Sequence, residues 1–369
     1  MPAKVTFRHH IGLFGSPRND KRESELPSCP ISSRESARRE FDVMNPTNEW
    51  GSLAYFGLLQ LIITARPKLP RNMRVILSRK GFDSGYGGVP SPILPDGRLV
   101  PLPIPSPRDP QRIGMLRVDG LDISAMVSDL TRSSIDAETA VHVDPDLQEH
   151  MLARAPGWRP AFGQVASAQT HLQNQGVGRG DLFLFFGWFR NVEQVNGVWR
   201  YTRASPDIHA LFGWLQVGEV LAVTGRERAI ANSYPWLRDH PHVAGANRFS
   251  SRNNTIYVAG DTLCLAGKGT KYRGGGLFKR YVPSLQLTAD GHTRSRWKLP
   301  AWFMPVDGRS PLSYHREKSR WTADHVSVLL QTVGKGQEFV LDCACYPESA
   351  EWLAKLFRDV HEVGTSQRS

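Results

Sequence analysis

Residues 73–105 read MRVILSRKGFDSGYGGVPSPILPDGRLVPLPIP. The opening Arg74 to Ser78 is a compact apolar run of the kind that forms the first strand of many α/β domains. Glycine and proline forbid regular structure from Gly81 to Pro95 apart from short turns. Asp96-Gly97 then predicts a hairpin turn into a strand over Leu99 to Ile104. A long structured loop beside a strand end is where binding and catalytic groups concentrate.

Outward from this stretch the chain divides in two. Residues 1–72 are rich in Arg, Ser, Pro and Asn and lack periodicity until Leu53, so they read as a poorly ordered N-terminal extension. Residues 73–369 read as one α+β domain, with Met73 as its natural start. Helical spacing covers Asp122 to Thr131 and Pro160 to Gln175, the second stopped by Gly176. Strands are expected over Asp181 to Arg190, Trp199 to Thr202, Ile208 to Val223, Thr255 to Ala259 and Glu338 to Leu341. Gly213 and Gly218 imply bulges or a sharp bend in the third of these. Glu348 to Glu362 closes the domain as an amphipathic helix with Trp352, Leu353, Leu356 and Val360 on one face. The expected architecture is a mixed or bent, barrel-like sheet, with a PUA-like element and flanking helices.

The 369 residues are 40% hydrophobic and 22% charged, the balance of a globular chain rather than a disordered one. A net charge of +11 favours acidic partners such as nucleotides or nucleic acid. The four cysteines form no CxxC pair and no zinc-finger spacing, which fits a reducing cytoplasm. No secretory signal pattern occurs, and the apolar run Ala54 to Ala65 is too short to span a bilayer. No membrane association is expected.

Several groups of residues carry potential chemistry. Arg79 and Lys80, followed by a glycine-rich turn, offer cations and backbone N–H groups to a phosphate, and Asp83, Ser84 and Tyr86 add a carboxylate and hydroxyls. The plainer reading is a turn capped by its own Asp83 and Ser84. On an extended chain His142 and Asp144 project to one face, either as an acid/base couple, a metal-binding pair or a hydrogen-bonded structural element. Gln164, Gln169 and His171 precede a strand bearing Trp188 and Arg190, and Trp214 lies on the next strand. The two tryptophans suit base stacking and Arg190 a phosphate, or all are core residues. Pro241 makes chelation by His240 and His242 awkward, so these read as polar loop residues. The Asn253 and Asn254 amides suit either a turn or a base edge. Tyr314 and His315, near Arg320 and Trp321, form a mixed basic and aromatic cluster. No GxSxG elbow, kinase motif set, zinc-deaminase signature or HExxH is present.

With those blocks in view, residues from Met73 to about Leu353 resemble the third type of the nucleotide-modification-associated domain families. The resemblance rests on the stretch quoted above and, in order, HVDPDL, HLQNQGVGRGDLFLFFGWFR, IHALFGWLQVGEV, HPHV, SRWKLP, SYHREKSRW and GQEFVLD. It implies a nucleotide or nucleic-acid substrate, DNA before RNA, and assigns no reaction and no cofactor. Residues 1–72 fall outside it.

The leading expectation is an enzyme acting on a base or nucleotide. Arg79 and Lys80 would hold phosphate, Asp83, Tyr86, His142 and Asp144 would supply acid/base groups, Trp188, Arg190 and Trp214 would hold the base, and Ser84, His171, Asn254, Tyr314 and His315 would contact substrate. No metal site is assigned. A non-catalytic, PUA-like reader of modified nucleic acid is the alternative, and an adaptor with incidental charge the third. Convergence of Asp83, His142 and Asp144 on one pocket separates the first from the others.

Overall fold

A computed structural model describes residues 73–245, 253–324, 326–334, 336 and 338–365. The expectations for residues 1–72 lie outside the described residues. The protein is α+β with a core made mostly of sheet. Nine strands form the main sheet: β1 (Arg74–Arg79), β2 (Ser91–Ile93), β3 (Ala161–Gln164), β4 (Leu182–Val195), β5 (Val198–Tyr201), β6 (Ile208–Ala222), β7 (Thr255–Ala259), β8 (Gly275–Leu277) and β9 (Glu338–Asp342). Their order is β9-β1-β4-β6-β7-β3, with β2 and β5 beside β4 and β8 beside β6. β1 and β2 run parallel to β4, and the remaining pairings are antiparallel.

β4 and β6 are the spine. The unbroken apolar run LFLFF of β4 reflects burial on both faces, as expected for a central strand covered on two sides. Phe183 and Phe185 pack edge-on to Phe162 on one face. Phe186 meets Trp297 and Phe339 on the other. The expected bends are present: the β6–β7 register shifts between Val217 and Glu219, around Gly218, and the β4–β6 register shifts beside Gly213.

Five helices complete the elements used below: α1 (Ile123–Leu130), α2 (Ala166–Asn174), α3 (Glu227–Ser233), α4 (Pro241–Ala244) and α5 (Ser349–Thr365). The Asp122 carboxylate caps α1 by accepting from Ala125 N–H at 2.9 Å. α5 buries Leu353, Leu356 and Phe357 in the main core, at about 1.5–3 kcal/mol for each large apolar side chain.

The structure alters four expectations, the first being that β2 (Ser91–Ile93) forms, paired parallel to β4, inside the Gly81–Pro95 stretch where only short turns were expected. The sheet is open, with β9 and β3 at its edges, and is not closed into a barrel. The helix expected from Pro160 starts only at Ala166, because Ala161–Gln164 are buried and pair antiparallel with β7 as an edge strand. The strand expected over Leu99–Ile104 is reduced to a bridge from Leu99 to Ile93 and a two-residue pairing of Ile104–Pro105 with Val141–His142. Pro101 and Pro103 lack the N–H groups that a continuous ladder needs.

The sheet edges nonetheless meet at one end. Gln164 on β3 donates its amide to Glu338 Oε1 on β9 at 2.6 Å, and Lys80, just past β1, reaches the same oxygen at 2.7 Å. The loop that leaves β1 therefore opens at a seam between the two edges.

Candidate functional site

At this seam lies a cavity of about 160 Å³ lined by Arg79, Lys80, Gly81, Asp83, Tyr86, Ile104, His142, Asp144, Gly163, Gln164, Val165 and His242. It sits past the carboxyl end of β1, where strand ends and their loops commonly gather ligand groups. Asp83, His142 and Asp144 share it, as do Tyr86, Arg79 and Lys80.

The centre is Asp144, whose carboxylate is buried among three imidazoles. His142 Nε2 lies 3.7 Å and His242 Nε2 3.5 Å from Asp144 Oδ2, and His240 Nε2 lies 3.7 Å from Oδ1. Gly163 N–H donates to Oδ1 at 2.8 Å. Outer groups fix two of the rings. His142 Nδ1 donates to Asp109 at 2.9 Å, and His242 Nδ1 donates to Asn254 Oδ1 at 2.7 Å, while the Asn254 amide N–H donates back to the His242 carbonyl at 2.9 Å. His240 Nδ1 accepts from His242 N–H at 3.2 Å and so caps α4. Proline at the first helical position of α4 supports this turn rather than obstructing it, so the reading of His240 and His242 as polar loop residues is corrected: both are buried.

Burial works to raise the Asp144 carboxyl, but hydrogen bonds from His142 and His242 reverse it and hold the group far below the usual carboxylate range. Burial lowers His142, but its hydrogen bonds to Asp109 and Asp144 outweigh this and raise it. Burial pushes His240 down to about 3, so that ring stays neutral.

The approach is shaped by the glycine-rich loop. Asp83 Oδ1 accepts from Gly85 N–H at 2.7 Å and Tyr86 N–H at 2.8 Å, so this carboxylate caps its own turn while facing the cavity. Lys80 is paired with Glu338 and stands over the Phe162 ring at 4.6 Å, which leaves Arg79 as the lining cation better suited to a phosphate. Gln164 and Val165 also line an adjoining groove of about 590 Å³, with Ser167, Ala168 and Tyr314. Tyr314 is exposed along this groove and packs against His171 at 4.4 Å.

Other expected contacts fall elsewhere. Trp214 is buried, packs on Phe278 and Phe357, and donates to the Arg273 carbonyl at 3.0 Å. Arg190 donates to the carbonyls of Thr202 and Arg203 and faces Tyr201. His315 is fully buried between Trp321 and Phe339, with Nε2 accepting from Val333 N–H at 3.2 Å. Trp188 lies outside the cavity, under Arg294, whose guanidinium also reaches Ser84 at 2.7 Å. Asn254 does reach the site, but as the group behind His242 rather than as a lining residue. Asp109, Gly163, Gln164, His240, His242 and Glu338 were not among the expected site residues. Gln164 and the HPH motif are singled out in the sequence, but neither is given a site role there.

A family model for nucleotide modification associated domain 3 matches residues 74–342, well over half of the chain. The chain belongs to that family. The matched span of nucleotide modification associated domain 3 includes every residue of the cavity lining and every outer group named around Asp144. No curated protein and no solved structure matches the chain. Among the described residues no helix is long and apolar enough to cross a membrane.

Proposed function

We propose that this chain is an enzyme that modifies a base of DNA or of a nucleotide, with the cavity past β1 as its active site. One observation carries the reading: Arg79 and the acid/base groups His142, Asp144 and His242 line the same small cavity, although they come from separate parts of the sequence. A role in nucleotide modification follows from the family. The cavity, at about 160 Å³, is smaller than the roughly 300–1,000 Å³ that encloses a whole drug-sized ligand. It suits a base or a phosphate, while the adjoining groove with Tyr314 takes the rest of the nucleotide. Arg79 holds phosphate, His142 exchanges a proton with the substrate, and Asp144 orients and charges the imidazoles. Asp83 positions Tyr86 and the loop. His171 supports Tyr314, and Ser84 with Trp188 and Arg294 forms a surface beside the loop.

The reader alternative calls for an aromatic cage without clustered acid/base groups. Tyr86 is the sole Phe, Trp or Tyr in the described lining, which favours catalysis. The test is mass spectrometry of nucleosides from DNA and of free nucleotides, incubated with the protein or with its His142→Ala or Asp144→Asn form. A mass change made by the parent and lost in both variants is expected. Salt-dependent DNA binding with no mass change would instead establish the reader.

A further inference from the structure

We propose that His142, Asp144 and His242 form a binding site for one divalent transition-metal ion of the zinc and iron class. This rests on the reading of the same cavity as an active site, and with the ion bound His142 serves as a ligand rather than as the proton carrier. One donor atom from each of the three residues lies within 4.8 Å of the others. The Asp144 edges, at 3.5 and 3.7 Å, are close to the roughly 3.3–3.4 Å between donors around a tetrahedral ion with bonds of about 2.0–2.1 Å. The third edge, between the two histidines, lies within 4.8 Å and must contract with the others for the triangle to close around a cation.

The surrounding hydrogen bonds point the same way. In metal sites the ring nitrogen that does not bind the ion is held by a carboxylate or carbonyl, which fixes the tautomer and turns the other lone pair inward. Here Asp109 holds Nδ1 of His142 and the Asn254 carbonyl oxygen holds Nδ1 of His242. Both Nε2 atoms are thereby directed at the Asp144 carboxylate, donating to it when the rings are protonated and offering it lone pairs when they are neutral. With the rings neutral, three electron-pair donors turned toward one point repel each other unless a cation lies among them.

Two further features fit. Gly163 leaves the space that the His242 ring fills: a Cβ there would lie 2.6 Å from Nε2 and nearer still to ring carbons. His240 already accepts at Nδ1, so its neutral ring carries the proton on Nε2, a buried atom with no hydrogen-bond partner that faces Asp144 Oδ1. This makes it a positioning residue for the carboxylate rather than a fourth ligand.

The donor set selects the ion class. Imidazole nitrogen suits zinc, iron and copper, whereas magnesium and calcium take oxygen ligands. Two histidines and one carboxylate leave coordination positions open, and all three ligands line the cavity. Substrate or water therefore has access to the ion.

The experiment uses the full-length chain, stripped with chelator and titrated with Zn²⁺, Co²⁺ or Mg²⁺. Metal content is measured after dialysis, and Co²⁺ is followed by its visible absorption. One equivalent of Zn²⁺ or Co²⁺ per chain is expected, with no retained Mg²⁺. His142→Ala, Asp144→Asn and His242→Ala should each weaken retention at least tenfold, while His292→Ala, an exposed histidine elsewhere, should leave it unchanged. The near-isosteric Asp144→Asn form and circular dichroism of every variant separate lost ligation from lost folding. Absence of stoichiometric binding by the parent, equal retention of Mg²⁺, or binding that survives all three substitutions would overturn the proposal. No substrate enters these measurements. Metal binding without nucleotide chemistry would sink only the proposed function, and base modification by a parent protein that retains neither Zn²⁺ nor Co²⁺ would sink only the metal site.

Discussion

Substitution of Gly163 by alanine tests the geometry of the site without touching a titratable group. The added methyl would begin 2.6 Å from His242 Nε2, with ring carbons nearer, against an ordinary carbon contact of about 3.5–4.0 Å. The ring must withdraw by about 1 Å or more to restore that contact. Starting from 3.5 Å, His242 Nε2 would then stand about 4.5 Å from Asp144, more than the roughly 4.2 Å that one ion can span with bonds near 2.1 Å. Overpacking of a tight site costs about 1–3 kcal/mol, which is a loss of several degrees in Tm. Thermal unfolding with and without Zn²⁺ reads both effects. Gly163→Ala should melt earlier and lose any rise in Tm caused by Zn²⁺. Gly269→Ala, where the nearest atom to a new Cβ is a Thr262 methyl at 3.9 Å, should keep both. A Gly163→Ala protein with the parent's Tm and an undiminished response to Zn²⁺ would refute the close approach of Gly163 and His242.

The nearly buried Lys80–Glu338 pair predicts that Glu338→Gln loses about 3–5 kcal/mol, because Lys80 would remain as an uncompensated cation; urea unfolding that gives less than 1 kcal/mol speaks against it. Asn254→Ala should cost about 1–3 kcal/mol in the same assay, since both His242 Nδ1 and its carbonyl lose a partner, and it should abolish nucleotide modification. Burial holds His209 down to about 3 and His315 to about 4, below the value near 6.5 of an unfolded histidine. The unfolded chain therefore takes up these protons first, so the stability they contribute is full above about pH 6.5 and declines as pH falls toward 4 and then 3. Tm should drop between pH 7 and pH 5, with a shallower slope for His209→Asn; equal slopes would show that His209 is not the titrating group.

The parts of the fold that were legible in the sequence are those set by local pattern. The unbroken apolar run of β4, the glycine-marked bend of β6 and the spacing of α5 each carry their signal within one window. Ala161–Gln164 was misread because its strand character comes from pairing with β7, which is remote in the chain. The site followed the same division. His142 and Asp144 could be joined by the two-residue period of an extended chain, and Arg79 with Lys80 by adjacency. Nothing local linked them to His242, whose ring arrives on α4 and is admitted by Gly163. Composition alone overvalued Trp214, because a buried indole and an exposed stacking platform look the same in sequence.

The bridge from Gln164 to Glu338 has a consequence for how the molecule fails. Edge strands, with a neighbour on one side only, open at lower free energy than the centre of a sheet. Here both margins, β3 and β9, end at the proposed site, where Gln164 and Lys80 share Glu338 Oε1. Mild heat or denaturant would therefore loosen the proposed site while β4 and β6 still kept their ladder, so any base-modifying activity should be lost ahead of the optical signs of unfolding.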